Sequence, residues 1–464
     1  MLIRWGDLTS GRADAALGQV VTVSGYPVVL PGQAHAERFL MTEEPGCCPG
    51  CAPRDPGGTI WVEARSAIPL GSGNRRLSGV WLAGTDAGSR YRLTDALPLD
   101  PPGWAGVTRR RALAAGPLMC LAATVGAGGA RAAEAADGAR TAIQAGTTVD
   151  IHSHAGGIAS PGRVRSGQAF GPVRTPMLKG GMTAVCLAVV SDGPTHKLMP
   201  DGRLHPFRDP EPGELYLYGQ LAFGRLHGMV QAQGLTLVTD AVGLRAARAG
   251  TASAIIAAEG GDFLEGQPDR VDEAYKRWSL RHLQLTHYRV NELGDIQTEP
   301  AVHGGLTDTG AEVIRRCNRL GIVVDVAHGT FDLVKRAVSV TSKPLVLSHT
   351  SLATRASAFT RLILPEHGRL VAGTGGVIGV WPPASVFPTM DALAAGMARM
   401  VDVVGVDHVG LGSDMRGLVG ESMLPDYDRL PALAEALLGV GFSAADTGKI
   451  LGGNYLRVFE ACMV

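Results

Sequence analysis

The stretch Thr147-Thr148-Val149-Asp150-Ile151-His152-Ser153-His154 opens the part of the chain whose pattern decides the fold. A short β-branched run there ends in residue types that bind metals. Comparable apolar runs recur at 183–190, 253–258, 282–286, 322–327, 344–347, 376–380 and 408–412. Between them lie segments with helical periodicity, among them 310–320, 331–339 and 389–404. Apolar strands alternating with helices predict a parallel sheet covered on both faces. Eight such strands in about 300 residues predict an α/β fold, a (β/α)8 TIM barrel, rather than an open sheet.

The first hundred residues read differently. Short alternating or β-branched runs at 20–23, 38–41, 59–63, 79–83 and 90–93 are separated by Pro31-Gly32, Pro56-Gly57-Gly58 and Gly71-Ser72-Gly73-Asn74. Such punctuation predicts a small all-β domain, and an OB-like five-strand barrel fits it. Asp100-Pro101-Pro102-Gly103 then breaks the chain. Next come Thr108-Arg109-Arg110-Arg111-Ala112-Leu113, an uncharged Ala/Gly/Leu stretch and Ala130-Arg131-Ala132. A basic start, a weakly apolar middle and an A-x-A site are the parts of a secretory signal, and the start resembles a bacterial twin-arginine export signal. Gly116-Pro117 and Gly126, Gly128 and Gly129 argue against a stable membrane span. An Ala-rich linker is the plainer reading of the same residues. The expected division is a small β-barrel module at 1–105, a signal-like linker at 106–146 and the (β/α)8 barrel at 147–464. Export to the periplasm follows if the signal is real, and a cytoplasmic location if it is not.

Composition narrows the function classes. The 464 residues hold 43 Lys+Arg against 43 Asp+Glu, with 45% hydrophobic and 19% charged. That hydrophobic share excludes a disordered chain, and the absence of a positive excess removes the footprint of a nucleic-acid binder. Three of the 7 Cys crowd into Cys47-Cys48-Pro49-Gly50-Cys51, so no chain-wide disulfide framework is implied. The cluster has the spacing to hold zinc or copper or to be redox active, with Met41, Glu43, Glu44 and His35 nearby. A vicinal disulfide or plain thiols fit it equally.

In barrels of this kind the active site lies at the C-terminal ends of the strands. Those ends carry His152, His154, Glu259, His287, His328, His349 and Asp414. Residues i and i+2 on a strand point the same way, so His152 and His154 can reach one ion. Glu259, with two oxygens, can bridge two ions, and His328 and His349 from adjacent strands can close the second site. Imidazole and carboxylate are ligands for zinc and similar first-row metals. Two ions about 3.5–4 Å apart share a hydroxide and polarise a carbonyl together. Asp414 is then the candidate to accept the water's proton and pass it to a leaving amine. Each residue alone has a plainer reading: a hydrogen-bonded core histidine, a helix N-cap at Asp414, a turn residue before Gly260-Gly261. Their conjunction at six strand ends points to metal. His35, His196, His205, His227, His282, His303, His367 and His408 fall elsewhere in the pattern and read as structural or surface residues.

Over 147–459 the sequence resembles the membrane (renal) dipeptidase family of zinc peptidases, which have amidohydrolase-like barrels. The resemblance rests on Asp150-Ile151-His152, Ala258-Glu259-Gly260-Gly261, Leu285-Thr286-His287 with Asn291 following, Asp325-Val326-Ala327-His328, Ser348-His349-Thr350, Val409-Gly410-Leu411-Gly412-Ser413-Asp414 and Gly452-Gly453-Asn454-Tyr455-Leu456-Arg457-Val458-Phe459. It implies that His152 binds a first zinc, Glu259 bridges, and His328 and His349 bind a second. It further implies that His287 hydrogen-bonds the substrate carbonyl as it becomes an oxyanion, that Asp414 is the acid/base, and that Arg361, with Arg355 as competitor, holds the substrate carboxylate.

The family usually has His-x-Asp where this chain has His152-Ser153-His154. A neutral imidazole in place of a carboxylate removes one negative charge from the first metal's surroundings and makes its water more acidic. The expectation is a hydrolase with two Zn2+ per chain that cleaves dipeptide amide bonds through a metal-bridging hydroxide. The alternative is hydrolysis of another small amide, lactone or ester at the same binuclear site, and a catalytically dead scaffold is the third reading. A dipeptide-like small molecule is the expected partner, with no nucleic acid, no stable membrane span and a homodimer as an option.

Overall fold

Parallel strands buried on both faces read as unbroken apolar runs. Ala184–Val190 (AVCLAVV) and Ser253–Glu259 (SAIIAAE) are two of them, buried along their whole length. They belong to the larger of two compact units in a computed structural model. The structure describes residues 8, 12–27, 35–42, 59–69, 75–83, 91–98, 137–159, 169–353 and 359–463. Thr108-Arg109-Arg110-Arg111-Ala112-Leu113, Ala130-Arg131-Ala132, the Cys47-Cys48-Pro49-Gly50-Cys51 cluster and Arg355 lie outside the described residues.

The smaller unit is built on β1 (Val20–Pro27), β2 (His35–Thr42), β3 (Thr59–Pro69), β4 (Arg75–Ala83) and β5 (Tyr91–Pro98). They close in the order β1-β2-β3-β5-β4, with β3 and β5 parallel and every other pair antiparallel. This is the OB-like barrel expected from the turn signals. Alternate residues face its core, as in Val21 and Val23, Ile60 and Val62, and Tyr91 and Leu93. Trp81 stacks on Tyr91 and donates its indole N–H to the Ala13 carbonyl at 3.1 Å.

The larger unit holds β6 (Val149–Ser153), β7 (Ala184–Val190), the hairpin β8 (His196–Leu198) and β9 (Leu204–Pro206), β10 (Thr236–Leu237), β11 (Ser253–Glu259), β12 (Leu280–Gln284), β13 (Val323–Asp325), β14 (Leu345–Thr350), β15 (Val377–Val380) and β16 (Val409–Leu411). β6, β7 and β11 to β16 pair in parallel as a closed ring of eight, and β10 adds a short edge beside β11. A helix follows every strand of the ring. Threonine caps start several of them: Thr307, Thr330 and Thr389 accept the N–H of Gly310, Leu333 and Ala392. The (β/α)8 barrel read from the sequence is the fold.

Two carboxylates sit inside the wall. Asp150 on β6 accepts from the Ser413 amide (2.8 Å), the Ser413 hydroxyl and Tyr427 Oη (2.9 Å), and burial pushes its pKa up to about 6 against those bonds. Asp325 on β13 accepts from the Ser348 amide at 3.0 Å and pairs with His282 Nε2 at 3.1 Å. Each one ties neighbouring strands together through side-chain bonds.

The strands also approach closely. A Cβ added at Gly412 would lie 1.7 Å from the Ser348 carbonyl oxygen, and that atom is backbone. Gly412→Ala is therefore expected to destabilise the barrel by about 3 kcal/mol. Thermal unfolding checks this, and a midpoint within about 2 °C of the parent protein's would contradict it.

Candidate metal centre and active site

Five imidazoles crowd one carboxylate at the C-terminal rim. Glu259 ends β11, and its Oε1 lies 3.4 Å from His152 Nε2, 3.3 Å from His328 Nε2 and 3.4 Å from His349 Nε2. Its Oε2 lies 3.1 Å from His154 Nε2 and 3.3 Å from His287 Nε2. Asp414 joins from the loop after β16, with Oδ1 3.4 Å from His154 Nε2. All seven residues are buried. Every strand-end residue singled out in the sequence thus reaches one cluster. Gly260 makes the turn after Glu259 with φ +84°, and a Cβ there would lie 2.9 Å from Ser191 Oγ and 3.3 Å from the His287 Cβ. Glu259 can be followed so closely by other side chains because that position carries none.

The backbone at the site is strained. His328 has φ 67° and Asp414 φ 47°, left-handed values that cost energy for residues with a Cβ. Hydrogen bonds fix the second of them: the Asp414 amide donates to the His152 carbonyl at 3.0 Å, and the His154 amide to the Met415 carbonyl at 2.9 Å.

The rings are held from behind. His154 Nδ1 lies 2.8 Å from the Ala188 carbonyl oxygen, which only accepts, so Nδ1 carries the proton. In the neutral ring Nε2 is then a lone pair, and it faces carboxylate oxygens of both Glu259 and Asp414. Acceptors aimed at acceptors need a cation between them. The protonation energetics agree: burial would lower the pKa of His154, yet Glu259 and Asp414 pull it up to about 10. Burial likewise works against ionised Glu259, and His287, His152 and His154 nonetheless hold its pKa well below the usual range. Burial, reinforced by the Arg361 charge, holds His328 and His349 well below the ordinary histidine value. They are neutral rings with lone pairs, the form that ligates metal. The donor set therefore fits divalent cations, with His152, His154, Glu259, His328 and His349 as the groups to hold them.

The cluster floors a cavity of about 400 Å3, lined among others by Tyr288, Arg361, Trp381, Arg416 and Val419. Arg361 is buried, donating from Nη1 to Gln297 Oε1 at 2.8 Å and from Nη2 to the His349 carbonyl at 3.2 Å. The long segment after β12 that supplies Gln297 is itself braced. Asn291 Nδ2 donates to the Leu285 carbonyl and to Asp262, and Asp295 accepts the amides of Val302, His303 and Gly305.

Two residues join the site that the strand-end reading passed over. Asp192, just past β7, accepts from His287 Nδ1 at 2.7 Å and from the Tyr288 amide at 3.0 Å. Although burial opposes it, His287 and His196 hold its carboxyl well below the ordinary range. His196, set apart in the sequence as structural or surface, lines the cavity with Nδ1 3.2 Å from Asp192. The signal for Asp192 was available, since it closes a strand like the others. Nothing in the hairpin sequence marks His196.

The model of the family described as membrane dipeptidase (peptidase family M19) matches residues 220–463, just over half of the chain. Among curated proteins, the chain is 28% identical over 228 residues to dipeptidase verJ of Clonostachys rogersoniana, covering 46% of this chain and 56% of that protein. It is 29% identical over 239 residues to dipeptidase 3 of Mus musculus, covering 49% and 47%. The chain thus spans about half the length of the curated relatives it matches. In structure it is similar to the probable dipeptidase PvdM of Pseudomonas aeruginosa, with TM-score 0.60, 18% identity and coverage of 71% of this chain and 99% of that one. It is also similar to a metallopeptidase from Rhodobacter sphaeroides liganded with a phosphinate mimic of L-Ala-D-Ala, with TM-score 0.56, 19% identity and coverage of 68% and 99%. At those identities the likeness shows the fold.

Metal analysis after zinc reconstitution is expected to give about two ions per chain, and Glu259→Gln to hold less than one. A parent protein that retains fewer than one ion per chain would sink the binuclear expectation.

Proposed function

We propose that this chain, which belongs to the membrane dipeptidase family (peptidase family M19), hydrolyses the amide bond of dipeptides with two zinc ions at the Glu259 cluster. The observation that carries the reading is the set of five imidazole nitrogens within 3.4 Å of one buried carboxylate, on the floor of a cavity sized for a small molecule. When bound, such a pair of ions acidifies a water and polarises the scissile carbonyl.

The chain's own residues supply the rest. His287, clamped by Asp192, is the group that hydrogen-bonds the carbonyl oxygen as it turns tetrahedral. Asp414, on the cavity wall, takes the proton of the attacking water and gives it to the departing amine. Arg361, with its guanidinium fixed by Gln297, pairs with the terminal carboxylate of the substrate and so sets the register of the scissile bond.

One observation favours a second reading. His154 stands where the family usually has a carboxylate, and its Nε2 sits among the ligand atoms beside Asp414. A less anionic first site would also suit a lactone, ester or cyclic amide.

Turnover of a panel of L,L-, L,D- and acidic dipeptides by the zinc-loaded protein tests the main reading. Asp414→Asn is expected to lower kcat by about 100-fold or more with the bound zinc retained. Full activity in that variant removes Asp414 from the mechanism, and no turnover of any dipeptide moves the assignment to the second reading.

A further inference from the structure

The loop after β16 places a second arginine at the cavity. Arg416 follows Asp414 by two residues, lines the same cavity as Arg361 and is exposed. Its φ is 68°, so it too sits in the left-handed region that residues with a Cβ avoid. The surrounding bonds impose that conformation. The amides of Gly417 and Leu418 both donate to the Asp414 carbonyl, at 2.9 and 3.3 Å, and Met415 N donates to Ser413 Oγ at 3.1 Å. Gly417 packs so tightly against the site that a Cβ there would lie 2.0 Å from Asp414 Oδ1 and 2.5 Å from His154 Cδ2. A backbone outlier held in this way by its neighbours is common at ligand clamps.

The guanidinium itself is uncommitted. Among the described residues no hydrogen bond or ion pair is recorded for Arg416. The carboxylates that line the cavity, Glu259 and Asp414, face histidine rings. Arg361, by contrast, is buried and already braced. A dipeptide with neutral side chains carries a single carboxylate and occupies only one of the two guanidiniums.

We infer that Arg416 is a specificity residue that pairs with a second anion on the substrate, which makes the preferred substrates dipeptides with an acidic side chain. The inference rests on the dipeptidase reading. A fork-shaped cation beside the reacting groups binds a carboxylate through charge-assisted bonds and gains less from the isosteric amide, whose one neutral oxygen accepts more weakly. Discrimination then comes from one charge, not from side-chain volume.

The test compares Asp-Ala with Asn-Ala and Ala-Asp with Ala-Asn on the zinc-loaded protein. The expected result is a kcat/KM ratio of about 10 or more in favour of the acidic member of at least one pair. Arg416→Ala is expected to bring that ratio to about 1, mainly through KM, and Arg416→Lys to restore part of it. An unchanged melting midpoint shows that each variant is folded. A second arm needs no turnover: calorimetric titration with glutarate and with glutaramate, which differ by one charge. The parent protein should bind glutarate about 10-fold more tightly, and Arg416→Ala should not distinguish them. Equal ratios in the parent protein, or a preference that survives in Arg416→Ala, overturn the inference. If no dipeptide is cleaved while the calorimetric preference holds and depends on Arg416, the dipeptidase reading fails and the second-anion site stands.

Discussion

A carboxylate buried among five imidazoles is the constraint on which the rest of the site depends. Glu259 sits out of water, where a negative charge is costly unless cations or hydrogen-bond donors surround it. Its ionised state holds only because cationic charge gathers there, as protons on histidine or as metal. Every other arrangement at the rim serves that concentration of donors. The Ala188 carbonyl turns one ring, Ser348 Oγ steadies His349 Nδ1 at 2.9 Å, and Asp192 holds His287. Removing any one of these supports would leave its ring in the cluster but free to turn.

Family membership and geometry bear on different questions. The membrane dipeptidase family match spans residues 220–463 and takes in Glu259, His287, His328, His349 and Asp414. It does not account for His154. With an imidazole there, Asp414 and Glu259 are the two carboxylates in contact with the ring, and they share the work of balancing charge at that end of the cluster. The chemistry available to Asp414 is therefore coupled to the charge on His154.

Much of this was legible in the sequence because the barrel obeys strong local rules. Unbroken apolar runs such as AVCLAVV and SAIIAAE have no place except a covered parallel sheet, and the helical periods between them leave little choice of topology. The alternation in Ile60 and Val62 marks the small β barrel in the same way. The ligands were legible because a strand end fixes where a side chain emerges. What stayed hidden was whatever depends on contacts between distant segments. His196 enters the cavity from a hairpin with no period to announce it. Gln297 meets Arg361 from a segment with no regular structure, and Asp150 meets Ser413 across 263 positions. Such partners are set by closure of the fold, not by any local pattern.

The ring of eight strands also has a seam, where the last strand meets the first. Leu411 lies opposite Asp150 in the ladder between β16 and β6, and a bridge between Ser153 and Met415 carries the pairing past the strand ends. Asp150 reinforces it by gripping Ser413 with both carboxylate oxygens. His152 and His154 lie on one side of that join and Asp414 on the other. The seam of the wall and the histidine cluster thus share an address. Prising the barrel apart at its ends would therefore also pull His152 and His154 away from Asp414.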